Sequence, residues 1–216
     1  GLNKSNAELF LDGKLVKKVG ILKDGFFVQD LTPRVYYVVV RKKGYRKWEK
    51  ILEVLPKRVS ETSAFVLPNN IPYTEILPSS TAYTKELATS THIGKKIEDV
   101  KRKGNIVLWR EGESIYARWV NDNGNAPSYF CKNGVCDKEI LINKRPVQYF
   151  DFHPKSNELL LLIINDVVVM TEIDPRIPRN IQTMFKAKGV KIRTKGDYIF
   201  IKEPTKDGVK IFKYKL

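Results

Sequence analysis

The sequence predicts an all-β protein built mainly from antiparallel hairpins. Short runs of β-branched and aromatic residues alternate with turn pairs such as Asp-Gly and Asn-Gly, which is typical of hairpins. Hydrophobic residues make up 42% of the 216 residues, enough to bury the core of one large domain or two small ones. No apolar run approaches the roughly 18 residues that cross a bilayer.

The first predicted domain covers residues 1–68. Its opening run, Ala7 to Leu11, precedes Asp12-Gly13, a pair that favours a type I′ turn because both turn residues need positive φ. Val35 to Val40 is rich in β-formers and predicts a strand. The domain therefore begins with hairpin signals rather than helical ones.

The second half of this domain predicts two more strands. Trp48, Leu52 and Val54 share one parity, which places all three on one face of a strand. Val59 to Leu67 predicts the last strand of the domain.

A linker is predicted at 69–104, where Ser, Thr, Asn and Pro interrupt the strand pattern. Within it, Ile93, Ile97 and Val100 have helical spacing, which predicts a short helix at 93–103.

The second predicted domain, residues 105–216, is rich in hairpins. The predicted strand pairs are Asn105–Trp109 with Ser114–Val120, Leu159–Ile164 with Val167–Thr171, and Tyr198–Lys202 with Val209–Lys213. Their turns are predicted at Glu111-Gly112, Asn165-Asp166 and Asp207-Gly208. The starts of these hairpins lie about 54 and 39 residues apart, a period that suggests propeller blades.

A weak internal repeat supports this interpretation, since Lys103-Gly-Asn-Ile-Val resembles Lys195-Gly-Asp-Tyr-Ile. Closed propellers contain at least four blades, and only about two and a half fit here. The domain is therefore an incomplete, partial-propeller-like array, or else an open sheet or sandwich.

The two cysteines predict a disulfide. In Phe130-Cys131-Lys132-Asn133-Gly134-Val135-Cys136, Asn-Gly favours a two-residue turn, so Lys132 and Val135 would form the hydrogen-bonded pair. Cys131 and Cys136 would then face each other within disulfide range. Such a bridge indicates an oxidising compartment. The alternatives are two free thiols, or half of a metal site that only His92 and His153 could complete.

One segment concentrates positive charge on a chain whose formal net charge is +15. Its six cations, interleaved with Tyr45 and Trp48, are Arg41, Lys42, Lys43, Arg46, Lys47 and Lys50. Cations with aromatic neighbours suit nucleic acid or an anionic wall polymer. The alternative is a solvated sheet edge, with the aromatic residues packed inside.

The N-terminal third resembles a PEGA domain. The resemblance rests on Leu9-Phe-Leu-Asp-Gly-Lys14, Val35 to Val40, Gly44-Tyr45-Arg-Lys-Trp48 and Val54, and covers about residues 5–68. The resemblance implies a small β-sandwich, a bacterial or archaeal surface location, and often a membrane anchor that precedes the domain. Asp151-Phe-His-Pro154, before an apolar hairpin, is similar to propeller blades of envelope proteins.

No common catalytic motif or cofactor-binding loop is present, so we expect neither an enzyme nor a cofactor. His153, the turn acids Glu111 and Glu113, and an ion pair between Asp174 and Arg176 are interpreted as structural. Trp109 and Trp119 are expected to pack in or near the core of one hairpin. The sequence therefore predicts a non-catalytic, extracytoplasmic envelope module with an envelope or protein partner. Because the chain begins at Gly1, a native leader or anchor would lie outside this sequence, and membrane association through such an anchor is one alternative.

Overall fold

The computed structural model describes residues 6–16, 20–22, 25–88, 100–120, 126–132 and 135–216. Within these residues the fold is all-β, as the sequence predicts, with eighteen strands, one α-helix and antiparallel pairing throughout. The same residues contain no helix long and apolar enough to span a membrane. The chain divides into two compact units.

Unit 1 is discontinuous in sequence. It comprises Gly1–Asn70 together with two later segments, Pro127–Tyr129 and Asp174–Asn180. Its strands are β1 (Ala7–Leu11), β2 (Lys14–Leu15), β3 (Gly20–Leu22), β4 (Gly25–Phe27), β5 (Arg34–Lys42) and β6 (Trp48–Val54). One sheet has the order β2-β1-β5-β6, and β3 pairs with β4.

The first hairpin confirms the predicted turn. Asp12 and Gly13 have φ of 48° and 79°, the positive values that a type I′ turn requires, and Leu11 pairs with Lys14 across them. On β6, Trp48 and Leu52 are buried as their parity predicts, and Val54 is half-buried. The inner face of the sheet is thus the one that the sequence identifies.

The predicted strand at Val59 to Leu67 is wrong, because residues 58–67 form no strand. Phe65, Val66 and Leu67 are all buried. Hydrophobic burial alone therefore does not make this segment a strand, because its backbone lacks the ladder of hydrogen bonds to a neighbour. It is joined to the β5–β6 hairpin by a hydrogen bond from the Arg46 amide to the Leu67 carbonyl at 2.9 Å.

Unit 2 contains Ile71–Ala126, Phe130–Ile173 and Ile181–Leu216. Its elements are β7 (Thr74–Ile76), α1 (Thr81–Ala88), β8 (Val100–Lys103), β9 (Ile106–Glu111), β10 (Ser114–Trp119), β11 (Ile140–Asn143), β12 (Tyr149–Phe152), β13 (Leu159–Ile164), β14 (Val167–Glu172), β15 (Ile181–Lys186), β16 (Lys191–Lys195), β17 (Tyr198–Thr205) and β18 (Gly208–Lys215). They form three four-stranded antiparallel sheets.

The three sheets follow one another along the chain. Their orders are β8-β9-β10-β11, β12-β13-β14-β15 and β16-β17-β18-β7, so the third sheet is completed by a strand from the start of the unit. Successive four-stranded sheets are the building blocks of propellers. The propeller-like arrangement of the three sheets stays a prediction.

The weak sequence repeat marks the same turn in two sheets. Lys103 pairs with Ile106 between β8 and β9, and Lys195 pairs with Tyr198 between β16 and β17. The glycines that follow the two lysines, Gly104 and Gly196, have φ of 58° and 53°. Both turns thus need a residue that tolerates the left-handed region.

Two of the three predicted hairpin turns are displaced by one residue. The turn at Asn165-Asp166 is confirmed, with φ of 50° and 62°. In contrast, Glu111 pairs with Ser114, so the first turn is centred on 112–113, and Thr205 pairs with Gly208, so the third is centred on 206–207. Moving a two-residue turn by one position shifts each cross-strand partner by two residues and leaves the same side chains on the inner face, so the alternation of buried residues does not distinguish the two positions.

The predicted helix at 93–103 is wrong at its C-terminal end, and residues 89–99 lie outside the described residues. Val100–Lys103 forms β8, because its backbone pairs with β9. The helix of the structure is α1, in the same predicted linker. Its N-terminus is capped by Ser80, whose Oγ accepts a hydrogen bond from the Tyr83 amide at 3.1 Å.

Candidate functional site

The basic segment surrounds the turn between β5 and β6 in unit 1. Arg41, Lys43 and Lys47 are exposed, whereas Lys42 and Arg46 are half-buried. Lys47 forms an ion pair with Glu49 at 2.6 Å. The structure therefore brings five of the six predicted cations to the tip of this hairpin, which we call the basic tip (residues 41–47).

Some of the basic tip is also used for packing. The guanidinium of Arg41 lies 4.9 Å from the centroid of the Phe10 ring, and the Lys42 ammonium lies 4.4 Å from that of Tyr45. Such cation–π contacts stabilise exposed side chains by about 0.5–1 kcal/mol. They hold these cations near the sheet while leaving the charge of the tip positive.

Lys50 departs from the predicted set, because its side chain is completely buried. Its Nζ lies 3.5 Å from a carboxylate oxygen of Asp174 and donates to the carbonyl oxygens of Asp174 and Arg176 at 3.3 and 3.1 Å. A buried ammonium needs this kind of compensation. Lys50 is therefore a structural cation of unit 1 and does not reach a ligand at the basic tip.

The partner of Lys50 lies in the segment Asp174–Asn180, which we call the clasp. Arg176 donates to both carboxylate oxygens of Asp174, at 2.6 to 3.0 Å, and to the carbonyl oxygen of Glu61 at 2.8 Å. Burial opposes ionisation of Asp174, but hydrogen bonds from Arg176 and the charge of Lys50 outweigh it and hold the pKa of Asp174 below its usual value. The carboxylate thus stays ionised. The interpretation of this ion pair as structural agrees with its burial.

The clasp also pairs with β6 through the backbone. The Ile51 amide donates to the Ile177 carbonyl at 2.7 Å. The Asn180 side chain accepts from the Glu49 amide at 3.2 Å and donates to the Glu49 carbonyl at 2.9 Å. The clasp therefore covers the outer edge of the sheet, which would otherwise be open to further pairing.

The sequence contained a signal for the buried lysine. Lys50 has the same parity as Trp48 and Leu52, so a strand that buries those two residues also points Lys50 inward. A charged residue on the core face of a strand predicts a buried counter-charge. The sequence does not reveal that this partner lies more than a hundred residues away.

The two cysteines form a disulfide, as predicted, at the base of a hairpin in unit 2. Lys132 and Val135 form the hydrogen-bonded pair, with N–H···O distances of 2.8 and 3.0 Å. The Cα atoms of Cys131 and Cys136 are 3.8 Å apart. Asn133 and Gly134, which were predicted to form the turn, lie outside the described residues. Because the two thiols are bonded to each other, they are not available as metal ligands.

A small polar pocket lies between the first strands of the second and third sheets of unit 2. Its lining consists of Tyr149 and Asp151 on β12 and Ile192, Arg193 and Thr194 on β16. Lys101, on the first strand of the remaining sheet, forms an ion pair with Asp151 at 3.1 Å. We call this site the first-strand pocket.

Hydrogen bonds fix the polar groups of the first-strand pocket. The Tyr149 hydroxyl donates to Oδ2 of Asp151 at 3.1 Å, and Oδ1 of Asp151 accepts from the Phe152 amide at 2.8 Å. Burial, together with the negative charge of Asp151, raises the pKa of Tyr149. The phenol therefore stays protonated. Arg193 pairs with Glu86, which α1 supplies.

The remaining singled-out residues have structural settings. His153 is buried and accepts a hydrogen bond at Nδ1 from the Lys155 amide at 3.2 Å. Burial, and the nearby charges of Lys103 and Lys155, lower the pKa of His153 to about 4. Glu111 and Glu113 are exposed. His92 lies outside the described residues.

The two tryptophans of the first sheet pack as the sequence predicts. Trp119 is buried and lies near Phe130, with ring centroids 6.2 Å apart. Trp109 is half-buried and stacks on Tyr116, at 5.6 Å between ring centroids.

No protein-family model, no curated protein and no solved structure matches this chain. The resemblance of residues 5–68 to a PEGA domain therefore stays a prediction.

Proposed function

We propose that the protein is a non-catalytic, extracytoplasmic module of the cell envelope that binds another envelope component. The observation that carries this proposal is the disulfide between Cys131 and Cys136. Both cysteines of the chain are used in it, and such bonds persist in oxidising compartments but not in a reducing cytoplasm. The predicted PEGA resemblance supports a surface location independently.

The settings of the candidate acids and bases support a non-catalytic role. His153 has a pKa of about 4 and its Nδ1 is already occupied by the Lys155 amide. A general base at neutral pH needs a pKa near the working pH and a free lone pair in a cleft. Asp174 is held by Arg176 and Lys50 in the interior of unit 1.

The compartment can be tested by trapping thiols in the cells that make the protein. Cells would be treated with a membrane-permeant alkylating agent, either directly or after treatment with a reducing agent. The cells would then be lysed and the mass of the purified chain measured. We expect no alkylation without reduction and two alkyl groups after it. Two alkylated cysteines in the unreduced sample would contradict an oxidising location. Protease shaving of intact cells would then separate a surface location from an internal envelope one.

A second candidate function is binding of an anionic polymer, nucleic acid or wall polymer, through the basic tip. It is favoured by the exposure of Arg41, Lys43 and Lys47 on one hairpin. Of these three, Lys47 forms an ion pair with Glu49. Each phosphate neutralised by a cation contributes a slope of about −0.9 to the plot of log affinity against log salt for duplex DNA. Binding through this tip should therefore weaken steeply with salt.

A charge-matched pair of variants separates this function from general basicity. One variant reverses Arg41, Lys42, Lys43, Arg46 and Lys47 to Glu, and the control reverses five exposed lysines of unit 2, namely Lys186, Lys188, Lys195, Lys206 and Lys210. Both variants change the net charge equally. Using fluorescent duplex DNA and an anionic wall polymer, we expect at least a tenfold loss of affinity in the first variant only. Equal losses in both would show that net charge, rather than the basic tip, binds the polymer.

A further inference from the structure

The first-strand pocket is electrically balanced by the protein itself. Asp151 is compensated by Lys101, at 3.1 Å, and Arg193 is compensated by Glu86. A charged ligand would find no unpaired opposite charge in the pocket. It would also lose the water molecules that hydrate its charge. The charges of the pocket therefore favour a neutral, polar ligand over an anion or a cation.

One donor at this pocket has no partner of its own. The Nε of Arg193 is buried, and no acceptor within hydrogen-bond distance is found among the described residues. This Nε has no surface that a water-sized molecule can reach, so a ligand would contact Arg193 through the rest of its side chain, which is 20% exposed.

The other groups that line the pocket include both hydrogen-bond donors and acceptors, and a hydroxyl group can bind to either. Asp151 accepts and the guanidinium of Arg193 donates. The Tyr149 hydroxyl gives its proton to Asp151 and can accept, whereas the Thr194 hydroxyl can do either. Hydrogen bonds to ionised groups are roughly twice as strong as those between neutral groups. Ile192 adds an apolar surface to the same wall.

We propose that the first-strand pocket binds a neutral saccharide, one of whose sugar residues places its hydroxyl groups between Asp151 and Arg193. The two ion pairs orient the carboxylate and the guanidinium, so that adjacent hydroxyls donate to one and accept from the other. This site lies in unit 2 and is separate from the basic tip of unit 1. Its ligand class also differs from the anionic polymer, so each proposal can fail without the other.

The test is a titration of the isotopically labelled full chain with each probe, in which the amide chemical shifts are measured by NMR at every ligand concentration. The probes are glucose, galactose and N-acetylglucosamine, with inorganic phosphate as the anionic probe and glycine as the zwitterionic one. We expect saturable shifts confined to β12, β16 and their neighbours with at least one sugar. A dissociation constant in roughly the millimolar range is reasonable for so small a ligand. Phosphate and glycine should leave these amides unchanged.

Two conservative variants assign the binding to the pocket. Tyr149→Phe and Thr194→Val each remove one hydroxyl, and Tyr116→Phe, on β10 outside the pocket, is the matched control. Removing one hydrogen bond should weaken sugar binding about fivefold in the pocket variants and leave the control unchanged. Amide dispersion equal to that of the parent protein would show that each variant folds.

Several outcomes would overturn the proposal. One is that none of the three sugars produces saturable shifts. Another is that phosphate or glycine, rather than a sugar, perturbs β12 and β16. A third is that sugar binding persists at full strength in both Tyr149→Phe and Thr194→Val.

Discussion

Two lysines on strands, Lys50 in unit 1 and Lys101 in unit 2, form similar ion pairs in different surroundings. Lys50 and Asp174 are separated by 3.5 Å, and their side chains are 0% and 6% exposed. Lys101 and Asp151 are separated by 3.1 Å, with 16% and 29% exposed. The first pair is sealed within its unit, whereas the second borders an open pocket.

This difference indicates that burial, rather than the distance between the charges, distinguishes a structural ion pair from one that can take part in binding. The polar atoms of a sealed pair are hydrogen-bonded within the chain, and losing one partner leaves buried polar groups without a hydrogen bond. A partly exposed pair is screened by water, and its atoms remain accessible to a ligand. The two lysines should therefore respond differently to the same substitution.

The largest expected effect is that of Lys50→Ala. This change removes the ammonium from Asp174 and from the two carbonyl oxygens that it contacts, and leaves a cavity next to Trp48. Asp174 keeps Arg176 as its counter-charge, but two buried carbonyl oxygens lose their donor, at about 1–3 kcal/mol each, so the total loss should be about 3–5 kcal/mol. We expect a loss of this size in the free energy of unfolding of unit 1. It would be measured by hydrogen exchange of the β5 and β6 amides.

The matched control is Lys47→Ala on the same hairpin. Lys47 pairs with Glu49, but its side chain is 58% exposed. Exposed pairs contribute about 0–1 kcal/mol, so the β5 and β6 amides should exchange almost as in the parent protein. Similar losses in the two variants would mean that burial does not distinguish these lysines.

Unit 2 also contains a sealed titratable group, and this gives the second prediction. His153 has a pKa of about 4 in the folded protein, against about 6.5 when unfolded. Between these values the unfolded chain binds more protons, so stability is complete above pH 6.5 and falls as the pH drops towards 4. The loss should reach about 3 kcal/mol, since each pKa unit corresponds to about 1.4 kcal/mol.

The measurement is urea unfolding of unit 2 across this pH range, compared with His153→Gln. Glutamine keeps an acceptor for the Lys155 amide but does not titrate. The difference in stability between parent and variant should therefore narrow or reverse as the pH falls from 6.5 to 4. A difference that stays constant would show that His153 titrates normally in the folded state.

Features that depend on neighbouring residues could be predicted from the sequence. The positive φ values of Asp12 and Gly13, and the pairing of Cys131 with Cys136, follow from residues within one hairpin. The conformational preferences of turn residues and the alternation of buried and exposed side chains act over a few residues, so both can be identified from the local sequence. The same holds for the buried position of Trp48.

Features that depend on distant residues could not be predicted. Lys50 and Asp174 are 124 positions apart, and Lys101 and Asp151 are 50 apart. Parity shows that Lys50 points inward, but the choice of partner is made by packing of the clasp onto β6. The displaced turn at 206–207 could not be predicted from the alternation of buried residues either, because both turn positions leave the same side chains on the inner face.

A small effect on stability is also expected for Lys101→Ala, which tests the other side of the comparison. Its ion pair with Asp151 is partly exposed, so unit 2 should lose about 1 kcal/mol or less by urea unfolding. The variant should nevertheless change the first-strand pocket, because Asp151 loses its counter-charge. A bound sugar hydroxyl is neutral and cannot replace that charge, whereas an added cation can. We therefore expect weaker sugar binding and new, salt-sensitive shifts of the β12 amides with a small organic cation. If the free energy of unfolding fell by several kcal/mol, Lys101 would instead be a structural cation like Lys50.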